Sequence, residues 1–166
     1  ASDAVYDQAT AEAFAEGARR SVADGFDALK ILAVPRSRPL EGATAIGEAV
    51  RLMEAARGAV GDDVDIMGDL HGRPSAAMGI QYGLALAPLH PWFLEEPCRP
   101  DDPDGLALVA RSVPVPIAAG ERSIGLRELA ADEALVDEHS EFLGASPYVP
   151  LDDGTAELVE ALVAED

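Results

Sequence analysis

The sequence alternates between helix-like and strand-like patterns, and this alternation constrains the fold more than any other feature. Each helix-like stretch is followed by a short apolar run of the kind found in buried strands. The helix-like stretches are 9–25, 43–63, 74–88 and 103–112, and the strand-like runs are 26–34, 64–70, 91–97 and 115–122. A further helix is expected over 125–135. Strands that alternate with amphipathic helices predict an α/β fold built from parallel β-α-β units.

Acidic residues end three of these strand-like runs at a constant interval. Asp69, Glu95 and Glu121 follow one another at intervals of 26 residues. Since the carboxyl ends of parallel strands meet at one edge of a curled sheet, these carboxylates are expected to crowd together. Crowded carboxylates repel each other unless a cation lies among them. An all-oxygen set of this kind suits Mg²⁺ or Mn²⁺ rather than Zn²⁺.

The residues alone leave other interpretations open. Acids after strands also cap helices or lie in solvated loops, and a chain with 31 acidic residues shows some regular spacings by chance. The apolar run before Glu95 and the proline after it favour a partly buried carboxylate with a partner. Glu96 becomes the ligand instead if the register slips by one residue. His71 shares a face with Asp69 if the strand continues that far, or it caps the next helix.

The charge balance argues against two classes of partner. The chain carries 31 acidic and 12 basic residues, a formal net charge of -19. Because such a surface repels phosphate backbones and anionic lipids, neither a nucleic-acid nor a membrane partner is expected. No apolar run approaches the roughly 18 residues of a spanning helix, and residues 1–10 lack a signal-peptide pattern. Together with the single cysteine, Cys98, this predicts a soluble, cytoplasmic protein.

Four motifs carry a resemblance to a known family. They are DALK at 27–30, GDLHGRPS at 68–75, PWFLEEP at 91–97 and VPIAAGER at 115–122. In this order and at these intervals the sequence resembles the enolase superfamily, in particular its mandelate racemase and muconate lactonizing enzyme-type branch. Within that branch it is similar to galactonate dehydratase-like sugar-acid dehydratases. The resemblance implies part of a TIM-type barrel, about strands 2–5, without the family's capping domain and later strands.

The resemblance also implies roles for individual residues. Asp69, Glu95 and Glu121 match the positions that bind Mg²⁺ in the family. His71 matches the general acid that protonates the departing β-hydroxyl in the dehydratases. Lys30 matches a lysine that binds the substrate carboxylate or assists the metal site.

Two further positions refine this assignment. Leu32 stands where the racemases carry a second lysine as a base, so dehydration is favoured over racemisation. Arg122 is expected either to contact the substrate or to form an ordinary surface ion pair. No residue after Ala131 matches the family's pair of residues that removes the α-proton.

The resemblance divides the chain into two parts. Residues 1–131 are expected to form the partial (β/α) barrel that carries the metal-binding rim. Residues 132–166 are expected to form an acidic C-terminal segment, since no Lys or Arg follows Arg127. Because four parallel strands leave two unpaired edges, we expect a larger parent chain, missing segments, or association with a second copy into a homo-oligomer.

Two functions are consistent with these features. The first is a Mg²⁺-dependent lyase that removes a proton next to the carboxylate of a sugar acid and then eliminates the β-hydroxyl, with Mg²⁺ stabilising the enediolate. The second is an incomplete or inactive superfamily member that acts as a metal-binding or oligomerising module.

Overall fold

The structure is a computed structural model that describes residues 10–34 and 38–122 of the 166-residue chain. The chain divides into a first unit, Ala1–Ala118, and a second unit, Ala119–Asp166. All the helices and strands given below belong to the first unit. The helix expected over 125–135 and the acidic segment 132–166 lie outside the described residues. In the part of the chain that is described, none of the helices combines the length and the apolar character that crossing a bilayer requires.

The described residues contain four α-helices: α1 (Ala11–Ala23), α2 (Ala43–Val60), α3 (Ala76–Leu86) and α4 (Pro103–Ser112). A 3₁₀ turn, Ala87–Leu89, extends α3. Three helices begin with a polar side chain that accepts a backbone N–H of the first turn, which satisfies one of the unpaired amides there. These capping residues are Thr10 for α1, Ser75 for α3 and Asp102 for α4.

Four parallel strands form one sheet in the order β1-β2-β3-β4: β1 (Ala28–Leu32), β2 (Asp65–Asp69), β3 (Leu94–Glu95) and β4 (Ile117–Ala118). Each strand follows a helix in the chain, and neighbouring strands in the sequence are neighbours in the sheet. The predicted α/β class with parallel β-α-β units is therefore confirmed.

The last two strands are shorter than the apolar runs that predicted them. β3 covers two residues of the run 91–97, and β4 covers two residues of the run 115–122. Pro97 closely follows β3 and Pro116 directly precedes β4, and a proline cannot donate to a ladder. Glu96, with φ 48°, turns the backbone away directly after β3. Pairing nevertheless extends past the strand ends, because Trp92 N–H donates to Ile66 O and Leu70 N–H donates to Glu95 O.

The helices pack on one face of the sheet. Leu29, Ile66 and Leu94 are buried on that face. Since side chains alternate along a strand, the residues between them point to the opposite face. The helix-side core around Leu94 contains the buried residues Ala33, Val34, Ala49, Met53, Leu70, Met78, Tyr82, Leu86 and Val115. The core around Leu29 and Ile66 contains Ala18, Ala56 and Val64.

Candidate functional site

The last residues of β2 and β3 are acidic and lie side by side. Asp69 pairs with Glu95 in the parallel register of the two strands. Gly68, the residue before Asp69, leaves room for the Leu94 side chain of β3, because a Cβ at this position would lie 2.7 Å from Leu94 Cδ2. The side chain of Asp69 is 6% exposed and that of Glu95 is 15% exposed. Two carboxylates are thus held next to each other with little access to water.

Lys30 neutralises part of this negative charge. Its Nζ lies 2.5 Å from Glu95 Oε2 and 3.4 Å from Asp69 Oδ2. The hydrogen bond to Glu95 is the largest cause that raises the pKa of Lys30, while partial desolvation opposes the shift. Lys30 lies on β1 beside Met67 of β2, which precedes Asp69 by two residues. Its long aliphatic side chain extends from there to the ends of the strands. Lys30, Asp69 and Glu95 therefore form a compact group, which we call the carboxylate–lysine cluster.

His71 joins this cluster through a turn. Its backbone N–H donates to Asp69 Oδ1 at 2.8 Å, and its Nε2 lies 3.6 Å from Asp69 Oδ2. The two side chains lie together as expected, but a turn brings them together and not alternation along a strand, since β2 ends at Asp69. His71 instead has φ 55°, a left-handed conformation that few non-glycine residues adopt. The bond to Asp69 Oδ1 fixes this turn and leaves Oδ2 facing Lys30 and the imidazole.

Backbone hydrogen bonds join the turn after Asp69 to Glu96, the residue after β3, and join Glu96 in turn to the end of β4. Gly72 N–H donates to Glu96 O at 2.9 Å, and Glu96 N–H donates to Ala118 O at 2.9 Å. Glu96 is itself buried, at 2% exposure, and its backbone is left-handed. Gly72 is a sequence signal for a left-handed backbone, but no sequence signal predicted this conformation at His71 or Glu96. Glu95, the acid whose side chain bonds Lys30, is the one that the strand pattern favoured.

Hydrogen bonds connect the loop after β1 to the residues that follow His71. Arg73 Nη1 donates to Val34 O at 3.1 Å, and Ser75 N–H donates to Pro39 O at 3.0 Å. Arg73 was not among the predicted functional residues. Its contact holds the loop that carries His71 against the end of β1.

The second unit contains the remaining two predicted residues. β4 ends at Ala118, so Glu121 lies in a turn beyond the strand and not at its end. Arg122 Nε lies 3.3 Å from Glu121 Oε1. Their expected roles as metal ligand and substrate contact stay predictions.

The donor set of the carboxylate–lysine cluster fits a hard divalent cation. The carboxylates of Asp69 and Glu95 supply only oxygen ligands, which Mg²⁺ prefers. Both point toward one positive charge, the ammonium of Lys30. Their arrangement thus already places two anionic oxygen donors around a common cation position.

Comparison with known proteins identifies relatives of the chain. The family described as enolase C-terminal domain-like matches residues 13–135. A D-gluconate dehydratase from Thermoproteus tenax is 36% identical over 117 residues, covering 70% of this chain and 24% of the relative. A D-galactonate dehydratase from Ralstonia nicotianae is 36% identical over 106 residues, covering 64% of this chain and 28% of the relative.

A solved structure shares the fold as well. The mandelate racemase/muconate lactonizing enzyme from Sulfitobacter sp. superposes with a TM-score of 0.70 and 36% sequence identity, covering 76% of this chain and 33% of that chain. The predicted partial enolase-superfamily barrel is therefore confirmed. This chain spans between 24% and 33% of the length of these three proteins.

Proposed function

The chain belongs to the enolase C-terminal domain-like family, and from this premise we propose that it is a Mg²⁺-dependent lyase that dehydrates sugar acids. The observation that carries the proposal is the convergence of the Asp69 and Glu95 carboxylates on one cation, with the His71 imidazole beside them. The curated relatives, which are D-gluconate and D-galactonate dehydratases, supply the substrate class. They also make a lyase the favoured reaction type.

Asp69 and Glu95 would hold the Mg²⁺, and we propose Glu121 as the third ligand. A bound Mg²⁺ would supply the positive charge that stabilises the enediolate formed when a general base, for which we assign no residue, takes the proton next to the substrate carboxylate. The low exposure of both acids strengthens this effect, because water screens charges weakly where it has little access. Mn²⁺ has the same ligand preference and is expected to substitute.

His71 would act in the elimination step as the general acid. The bond between the β-carbon and its hydroxyl breaks, the imidazolium of His71 gives its proton to the departing oxygen, and water leaves. The electron pair of the enediolate forms the new double bond, and the resulting enol becomes a 2-keto acid. The turn that binds the His71 amide to Asp69 Oδ1 positions the ring for this transfer. We assign substrate binding to Lys30, which would contact the carboxylate, and to Arg122.

Calorimetric titration with Mg²⁺ tests the metal site. Glu95→Gln and Asp69→Asn are each expected to weaken binding about tenfold or more, since each removes one charge from the cation position. Glu48→Gln serves as the control, because Glu48 is an acid on the surface of α2 that pairs with Arg51. Unchanged affinity in Glu95→Gln would contradict the ligand assignment and would direct the search to Glu96.

A screen over sugar acids for 2-keto products tests the reaction. The wild-type chain is expected to form product with at least one acid, and His71→Asn is expected to abolish product while leaving Mg²⁺ affinity unchanged. Asn suits this test because it tolerates a left-handed backbone and retains the amide that bonds Asp69. If His71→Asn also loses Mg²⁺, the acid role is misassigned.

Mg²⁺ uptake without any 2-keto product would favour the alternative, a metal-binding or oligomerising module without catalysis. We also propose that the protein is a homo-oligomer, because β1 lies at the edge of the sheet that the described residues form. Sedimentation velocity measures this directly, and a single monomeric species at micromolar concentration would refute it.

A further inference from the structure

Lys30 occupies the position that a cation needs in order to contact both acids. Its ammonium bonds Glu95 Oε2 and lies within ion-pair distance of Asp69 Oδ2, although it comes from a strand that contributes neither acid. The same oxygens are the proposed metal ligands. A metal ion and the ammonium therefore compete for the same two acceptors.

The acids need a positive charge even without a metal. Their side chains are 6% and 15% exposed, so water compensates their mutual repulsion only in part. Their backbones are also fixed in register at the ends of paired strands, so only side-chain rotation can move the two carboxylates apart. The structure shows Lys30 in ion pairs with both acids. Its side chain is 44% exposed and therefore has room to move outward.

We propose that Lys30 is an internal cation that holds the two carboxylates together before metal binding and must be displaced from them when Mg²⁺ binds. Lys30 thereby sets the affinity of the site and its preference for divalent over monovalent cations. The inference rests on the proposed function, since it takes Asp69 and Glu95 as the metal ligands.

The preference follows from charge. A monovalent ion brings the same charge as the ammonium, which is tethered beside the acids and is thus present at high effective concentration. Replacing the ammonium with a monovalent ion therefore gains little binding free energy. A divalent ion doubles the attraction to both carboxylates and displaces the ammonium. After displacement, Lys30 remains next to the site with a free ammonium, which fits its proposed contact with the substrate carboxylate.

Mg²⁺ titration of Lys30→Met tests the inference, with Arg51→Met as the matched control. Arg51 carries the same charge, and its ion pair with Glu48 lies on the exposed surface of α2. Lys30→Met is expected to bind Mg²⁺ about tenfold more tightly than the wild type, the scale of one unit charge a few ångströms from a dication in a largely aqueous setting. Lys30→Arg, which keeps the charge, and Arg51→Met are each expected to stay within about twofold of the wild type.

A competition experiment at constant ionic strength tests the preference. When tetramethylammonium is replaced by Na⁺, the Mg²⁺ affinity of Lys30→Met is expected to fall, while that of the wild type is unchanged. Thermal unfolding in the presence of EDTA gives a second measurement. Lys30→Met is expected to melt below Arg51→Met because its acids repel, and saturating Mg²⁺ is expected to remove the difference.

The outcomes separate the two proposals. If Glu95→Gln weakens Mg²⁺ binding but Lys30→Met binds no more tightly than Arg51→Met, the internal-cation role is refuted and the metal site stands. Weaker binding in Lys30→Met would refute it as well, because Lys30 would then support the metal. If Glu95→Gln and Lys30→Met both leave the affinity unchanged, the metal site itself is refuted. Lys30→Gln repeats the test if the Met variant does not fold.

Discussion

Two glycines in helices give a paired test of how the fold supports the site. Gly79 lies in α3, and a Cβ at this position would be 2.3 Å from the carbonyl oxygen of Pro97 and 3.3 Å from Val109 Cγ2. Gly47 lies in α2 and is exposed, with no atom within 4 Å of the corresponding Cβ position. The same substitution, Gly→Ala, therefore has opposite consequences at the two positions.

The magnitudes follow from these contacts. Gly47→Ala is expected to raise the free energy of unfolding by about 0.5–1 kcal/mol, the usual gain from replacing a helical glycine. Gly79→Ala has the same gain but also forces a methyl group against a backbone oxygen that no rotamer change can move. Overpacking of this kind costs about 1–3 kcal/mol. Gly79→Ala is thus expected to be the less stable variant, by roughly 1–3 kcal/mol relative to Gly47→Ala.

Urea denaturation measures both variants, with unchanged m-values showing that the denatured state is comparable. Pro97 follows Glu95 by two residues, so displacing it is also expected to weaken Mg²⁺ binding in Gly79→Ala and not in Gly47→Ala. If the two variants gain equal stability, α3 does not pack against the Pro97 carbonyl and the reasoning fails.

Two further predictions concern stability. The Arg57 guanidinium donates to the carbonyls of Leu89, Gly61, Val64 and His90, so Arg57→Met is expected to lower the free energy of unfolding by about 2 kcal/mol. Arg51→Met is the control in the same urea assay, and equal losses would contradict this role. Burial raises the pKa of the Cys98 thiol from 9.0 to about 12, so a thiol reagent at about pH 8 is expected to label it only after unfolding. Because the folded chain favours the protonated thiol, the Cys98 contribution to stability is complete below pH 9.0 and declines as the pH rises toward about 12. Cys98→Ala should remove that part of the decline, and rapid labelling of the folded chain would refute the assignment.

The order of helices and strands was predictable from the sequence because it depends on local periodicity. The apolar positions of α2 follow the helical period, and a short apolar run precedes Asp69; both elements formed where expected. The pairing of Asp69 with Glu95 was predictable too, since equal intervals place both acids at equivalent strand ends. β4 stops at Ala118, so Glu121 follows the strand by three residues, and its role as a ligand stays a prediction.

The details of the site depend on turns and long side chains, which the periodicity does not encode. His71 reaches Asp69 through a left-handed residue, and Glu96 adopts a similar conformation while being buried. Such conformations are imposed by surrounding hydrogen bonds, here those of Gly72 and Ala118, and not by the residue's own preference. The bridge that Lys30 makes between two acids on other strands likewise becomes visible only once the sheet has formed.

The register of the sheet links the stability of the core to the chemistry of the site. Leu29 pairs with Ile66 and faces the helices, which places the adjacent Lys30 on the opposite face. Because the side-chain period of a strand is two, a slip of one residue would turn Lys30 toward the helices and bury its charge. Burying Leu29 and Ile66 therefore stabilises the one register in which Lys30 can reach Asp69 and Glu95. A substitution such as Leu29→Ala, which weakens this apolar contact, is expected to loosen the carboxylate–lysine cluster even though it touches none of its charged atoms.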